Sequence, residues 1–213
     1  MDIYKVNKIQ NIMGCDIHMY VEYKRENQES SQWKNGDYFR INESFGEFED
    51  ENKFNQIGLY DKRNYSLFST LAGVRDYSEK IIPVSEPKGL PDDISDYVKK
   101  ESDDWEGDGH THSWLTLKEL RDYNNNSPVL HFSGMISSDQ AEKLDAGIEN
   151  PNSWCQWTSR EDYVKREWSE KNLTLNPLID LMQTRAKELL QYHYQDYDLK
   201  NDENIRIVFW FDN

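Results

Sequence analysis

Five side chains in this 213-residue sequence have types and spacing suited to chemistry. Asp16 and His18 stand one residue apart in "GCDIH", His110 and His112 one apart in "DGHTH", and Asp212 is next to last. Residues two apart in a strand point to the same side, so each pair would offer two groups from one rigid element. Imidazole together with carboxylate suits Zn, Mn or Fe rather than Ca. Such a cation lowers the pKa of a bound water and polarises a phosphoryl or carbonyl oxygen, which is hydrolytic chemistry. Without a metal, His18 or His112 can act as acid or base near neutral pH. The expected site therefore has Asp16, His18 and His112 as catalytic groups. Asp16, His18, His110, His112 and Asp212 are its candidate metal ligands. The competing reading is ordinary structural hydrogen bonding, because D-x-H and H-x-H both arise by chance.

The expectation has a condition: the first and last strands must be neighbours, with residues 103–113 closing over them. "MGCDIHMYVEYKR" alternates as a strand, with Cys15, Ile17, Met19 and Val21 on a core side. Asp16, His18, Tyr20 and Glu22 lie on the other side, which suits a polar or partly solvated face. "NIRIVFWFDN" is strongly β-prone. Asn35-Gly36 is a hairpin signal, so residues 19–25, 32–35 and 37–41 are predicted to form a meander. Residues 43–57 read as a long acidic loop. Apolar spacing of three and four predicts a helix in "KRNYSLFSTLAGVRDY". Another short helix follows "KGLPDD", and Thr116 with Glu119 has capping-box spacing for a third starting near Leu117. "SPVLHFSGMI" reads as a strand. "SSDQAEKLDAG", "SREDYVKREWSEKN" and "NPLIDLMQTRAKELLQYHYQ" read as helices, the last with Pro177 in its first turn. These elements predict an α+β fold: a mixed or antiparallel sheet with the two terminal strands adjacent and helices on one face. Residues 1–12 read as an N-terminal extension, and 13–213 as a single domain.

The net charge is −15, with 40 acidic and 25 basic residues. That field repels a phosphate backbone and argues against broad nucleic-acid binding. No transmembrane-length run or signal peptide is legible, so a cytoplasmic chain without a membrane partner is expected. Cys15 and Cys155 form no CxxC pair and indicate no disulfide framework. Cys15, on the apolar face, reads as a buried thiol. "HFSG" contains an H-x-S but no second clean copy, so His131 reads as a strand histidine. His193 reads as a helix-surface residue, and Trp154, Trp157 and Trp168 as core.

"MGCDIHMYVEYK", "RNYSLFSTLAGVRDY", "PKGLPDDIS", "DGHTHSWLTLKEL" and "VFWFDN" together resemble a family of uncharacterised bacteriophage and bacterial proteins. The resemblance runs from Met13 onward and implies a phage or prophage context in a bacterial host. It carries no catalytic role. The first expectation for function is metal-dependent hydrolysis of a phosphate-containing small molecule or nucleotide. The second is a protein that binds and sequesters a nucleotide without turnover. Tyr20, Arg63, Trp114 and Trp210 are the candidate ligand-binding residues for that pocket. The third is an acidic protein–protein inhibitor using the carboxylates of 43–52 and 92–108.

Overall fold

The computed structural model describes residues 14–25, 32–46, 53–76, 81–127, 129–171, 175–190 and 199–212. The expected extension at 1–12, and His193, lie outside them. The chain divides into two compact units. The first comprises Met1–Asn64, Pro87–Leu117 and Leu181–Asn213, and the second Tyr65–Glu86 and Lys118–Asp180.

The first unit is built on β1 (Asp16–Tyr23) and β8 (Ile205–Asp212), which pair antiparallel along their whole length. Every β8 residue from Ile205 to Phe211 is buried. A strand buried without a break, with Arg206 as its one charged member, is covered on both faces. β2 (Lys34–Asn35) and β5 (His110–Thr116) complete an antiparallel sheet in the order β2-β1-β8-β5. The two chain ends are thus its central pair, as the sequence predicts. Cys15, just before β1, and Ile17, Met19 and Val21 on it are buried as expected. Tyr20 and Glu22 are buried too, so only the Asp16–His18 end of the opposite face is open. Tyr20, Val98, Val208 and Trp210 form the core under that face, with Tyr97, Trp105 and Trp114 packed around them. Val98 comes from α2 (Asp96–Asp104), the short helix after "KGLPDD".

Only the first half of the predicted meander forms: β2 pairs with β1, but Tyr38–Ile41 does not join them. Gly36 N–H donates to the Val21 carbonyl at 2.7 Å, and Asn35 Oδ1 accepts from the Asp37 N–H at 3.1 Å. The turn residues are consumed in docking onto β1. β3 (Tyr38–Ile41) pairs instead with β4 (Phe54–Ile57), which lies inside the stretch expected to be loop.

In the second unit, α1 (Tyr65–Ala72) stops at Gly73, whose φ of 71° suits a residue without Cβ. α3 (Leu117–Asn126) begins where the capping spacing places it. β6 (Val129–Ser137) is followed by α4 (Ser138–Asp145), capped by Ser137 Oγ accepting from Gln140 N–H. The segment predicted as a helix from "SREDYVKREWSEKN" is instead a strand, β7 (Tyr163–Lys171), paired antiparallel with β6. Its charges also fit a helix surface, but Trp168 opposite Phe132 is buried in a cluster with Leu130, Ile136 and Ala141. Cross-strand burial outweighs the weak helical preference of a polar segment. Trp154 and Trp168 join that core, whereas Trp157 is 78% exposed, which corrects its reading as core. α5 (Asn176–Leu190), whose residues from Leu181 onward belong to the first unit, carries Pro177 at its second residue. A short 3-10 turn, Leu199–Asn204, leads into β8.

Candidate functional site

Antiparallel register sets Asp16 opposite Asp212 and His18 opposite Trp210. The D-x-H pair and the C-terminal carboxylate therefore meet at one end of the central strand pair. Asp212 is held twice: Oδ1 accepts the Asp16 N–H at 3.0 Å, and Oδ2 lies 3.2 Å from His18 Nε2. A carboxylate only accepts, so the proton in that second bond belongs to Nε2. This leaves His18 Nδ1 as the basic nitrogen. The His18 ring lies 4.0 Å from Trp105 and 6.0 Å from Trp210, centroid to centroid. Both His18 and Asp212 side chains stay 21% exposed. An oriented imidazole with an aromatic wall and a solvent opening is thus in place.

Arg63 sits beside them. Its Nε and Nη2 donate to the two Asp16 carboxylate oxygens at 2.9 and 2.6 Å. The guanidinium holds the Asp16 carboxyl below the usual carboxylate range, chiefly through these bonds. Gly14 makes the seat for it, because a Cβ there would lie 2.4 Å from Arg63 Nη1. Arg63 and Asp16 are each about half exposed, so the pair positions charge rather than stabilising the fold. Arg63→Gln is expected to move the Asp16 pKa up toward 3.8 with almost no change in melting temperature. Carboxyl chemical shifts followed through acid titration measure this, and a melting point lowered by many degrees would contradict the geometry.

The two histidines of β5 do not act as a pair. Strand register shifts between His110 and Ser113, and Thr111 has a φ of 54°. This bulge breaks the period of two. The His110 ring faces Phe211 at 6.1 Å, whereas the His112 ring stacks on Trp210 at 5.6 Å. Phe211 and Trp210 are consecutive on β8 and point to opposite faces. His112 therefore shares the face of His18, and His110 lies on the other. Burial, helped by neighbouring His110, pushes the His112 pKa down and favours its neutral ring. His110 Nδ1 is 2.8 Å from Thr111 Oγ1.

Tyr20 and Trp210 are almost fully buried and stack at 4.9 Å, and the Tyr20 hydroxyl donates to Glu101 at 3.2 Å. They form the floor under the histidines, not an open stacking surface. Trp114 lies under Lys88, whose Nζ is 4.0 Å from the ring centroid. Sequence spacing missed Trp105, Glu101 and Gly14. Trp105, an aromatic in an otherwise acidic turn, carried a readable signal. Gly109 lets that turn close, since a Cβ there would lie 3.2 Å from Trp210 Cδ1 and 3.4 Å from Trp105 Cβ.

Among the described residues, no three His, Cys, Asp or Glu side chains stand together as a ready metal cage. Asp16 faces Arg63, and His110 is on the far face. No helix of the described residues is long and apolar enough to cross a membrane. Comparison with family models, with curated proteins and with solved structures finds no match for this chain.

Proposed function

We propose that the open end of the β1–β8 pair hydrolyses a phosphate-containing small molecule or nucleotide, in the cytoplasm of a bacterial host and in a phage or prophage setting. The observation that carries this reading is the His18–Asp212 pair beside the Asp16–Arg63 pair. Asp212 orients His18 so that Nδ1 takes a proton from an attacking water. Arg63 brings a basic group to the opening in a chain of net charge −15. A phosphate drawing it from Asp16 would replace one bidentate acceptor with another. The Trp105 ring, 4.0 Å from the imidazole, walls one side of it. If Zn, Mn or Fe is bound, Asp16 and His18 Nδ1 would hold it; Nδ1 would then be a ligand in place of the base, and Arg63 must first release Asp16.

The test uses untagged protein, elemental analysis, and a panel of nucleotides and phosphate esters with and without added Zn or Mn. His18→Asn and Asp212→Asn should each lower turnover by about 10²–10⁴-fold, the usual worth of an acid–base group. Both should keep the wild-type circular dichroism. No turnover of any panel member with either metal would sink the hydrolase. A nucleotide recovered unaltered from the purified protein would replace it with sequestration, for which Trp105 is the available wall.

A further inference from the structure

We propose that the ligand of this site is a nucleotide whose base lies beneath the turn Trp105–Gly109 and accepts the indole N–H of Trp210. The inference rests on the phosphate seat at Arg63 proposed above. Trp210 is fully buried, and its Nε1 donor has no hydrogen-bond partner. A buried N–H left unpaired costs free energy, so an orphan in a central strand marks a place for an acceptor. Tyr20 and His112 stack on the indole, so a ligand meets its edge. Gly109 shows where that edge points. A Cβ on Gly109 would lie 3.2 Å from Trp210 Cδ1, the carbon bonded to Nε1. The same point is 3.4 Å from Trp105 Cβ and 3.5 Å from His112 Cε1. The donor edge, the His112 ring and the turn thus converge.

The turn covers the donor and is built to lift. Its backbone bonds are local: Glu106 N–H donates to the Asp103 carbonyl at 3.1 Å, and Asp108 N–H to the Trp105 carbonyl at 3.0 Å. It can move as a unit with these intact. Glu106 has a φ of 44°, a strained conformation of the kind that gathers at ligand clamps. Charge and spacing select a base as the group beneath it. Glu106 and Asp108 are exposed on the turn, so a second phosphate would meet like charge. His18, opposite Trp210, is two residues from Asp16, hence about 7 Å along β1 at roughly 3.4 Å per residue. That step suits the reach from a phosphate across a ribose to a base. A base edge carries ring nitrogens and carbonyl oxygens as acceptors, and Trp105 offers a ring for it to stack on.

Proton–nitrogen NMR of the full chain reads the seven indole N–H groups directly, with Trp210 assigned through bonds. At least one of AMP, GMP, CMP and UMP should move the Trp210 resonance downfield. Ribose 5-phosphate should shift the Arg63 side-chain N–H and leave Trp210 in place. Trp105→Ala should weaken binding of the responding nucleotide about 5- to 150-fold, the usual worth of one base stacked on an aromatic ring, and leave ribose 5-phosphate unaffected. A Trp210 resonance that no nucleotide moves overturns the proposal, as does one that ribose 5-phosphate moves equally. So does a Trp105→Ala chain that binds the nucleotide as tightly as the wild type. A moved resonance without turnover sinks hydrolysis alone, whereas turnover with an unmoved resonance sinks this inference alone.

Discussion

Arg206→Met is expected to destabilise the first unit by about 3–5 kcal/mol, the cost of leaving one partner of a buried ion pair alone. Arg206 and Glu22 are directly opposite on β8 and β1 and are 2% and 0% exposed. Arg206 Nε donates to Glu22 Oε2 at 2.7 Å, and Nη1 to Asp93 Oδ1 at 2.7 Å. The other Glu22 oxygen accepts the Ser95 N–H at 2.7 Å. The guanidinium also lies 3.9 Å over the Trp33 ring, and Trp33 Nε1 donates to Asp93 at 2.9 Å. Each polar group is satisfied, so the network is stable as a whole and fragile in its parts. The double variant Glu22→Gln, Arg206→Met removes both charges and should recover most of the loss. Urea unfolding followed by tryptophan fluorescence measures both. A single-variant loss below about 1 kcal/mol would mean that water reaches the pair.

The second large effect is on pH dependence. Burial pushes the Asp37 carboxyl up to about 7, against an ordinary value of 3.8. Its oxygens accept the Val21 N–H at 3.2 and 3.3 Å and the Gln56 Nε2–H at 2.6 Å, and these bonds only partly oppose the shift. The folded chain thus binds this proton more tightly than the unfolded chain. Between about pH 4 and 7 the folded state carries more protons, so raising pH lowers stability across that window. Below it the contribution is complete, and above about 7 it is gone. The difference amounts to at most about 4 kcal/mol, at 1.36 kcal/mol per pKa unit. Asp37→Asn keeps an acceptor for Val21 and removes the charge. Its unfolding free energy should be flatter from pH 4 to 7 and should exceed that of the wild type at pH 8. Parallel curves for the two proteins would remove Asp37 as the cause.

The same residue explains why residues 32–41 do not form the expected hairpin. Asn35-Gly36 has the local chemistry of a tight turn. It does not connect β2 to β3, because Gly36 and Asp37 bond to Val21 on another strand. Local spacing carries no information about a partner at that separation. Tyr163–Lys171 failed for a related reason. Its charges satisfy a helix surface, and only pairing with β6 makes Trp168 a cross-strand core residue.

Composition and periodicity by themselves point to the α+β class and to adjacent terminal strands, and put Asp16 and His18 on one face; the strand register then brings Asp212 opposite Asp16. The strands and their faces follow from apolar runs and a period of two, which are properties of consecutive residues. Tertiary structure alone decided how those groups are used. The bulge at Thr111 sends His110 and His112 to opposite faces, Arg63 takes Asp16, and Trp105 covers His18. These depend on backbone conformation at one residue and on contacts between distant segments. Spacing along the chain encodes which residues can share a face, not which of them a fold brings into contact.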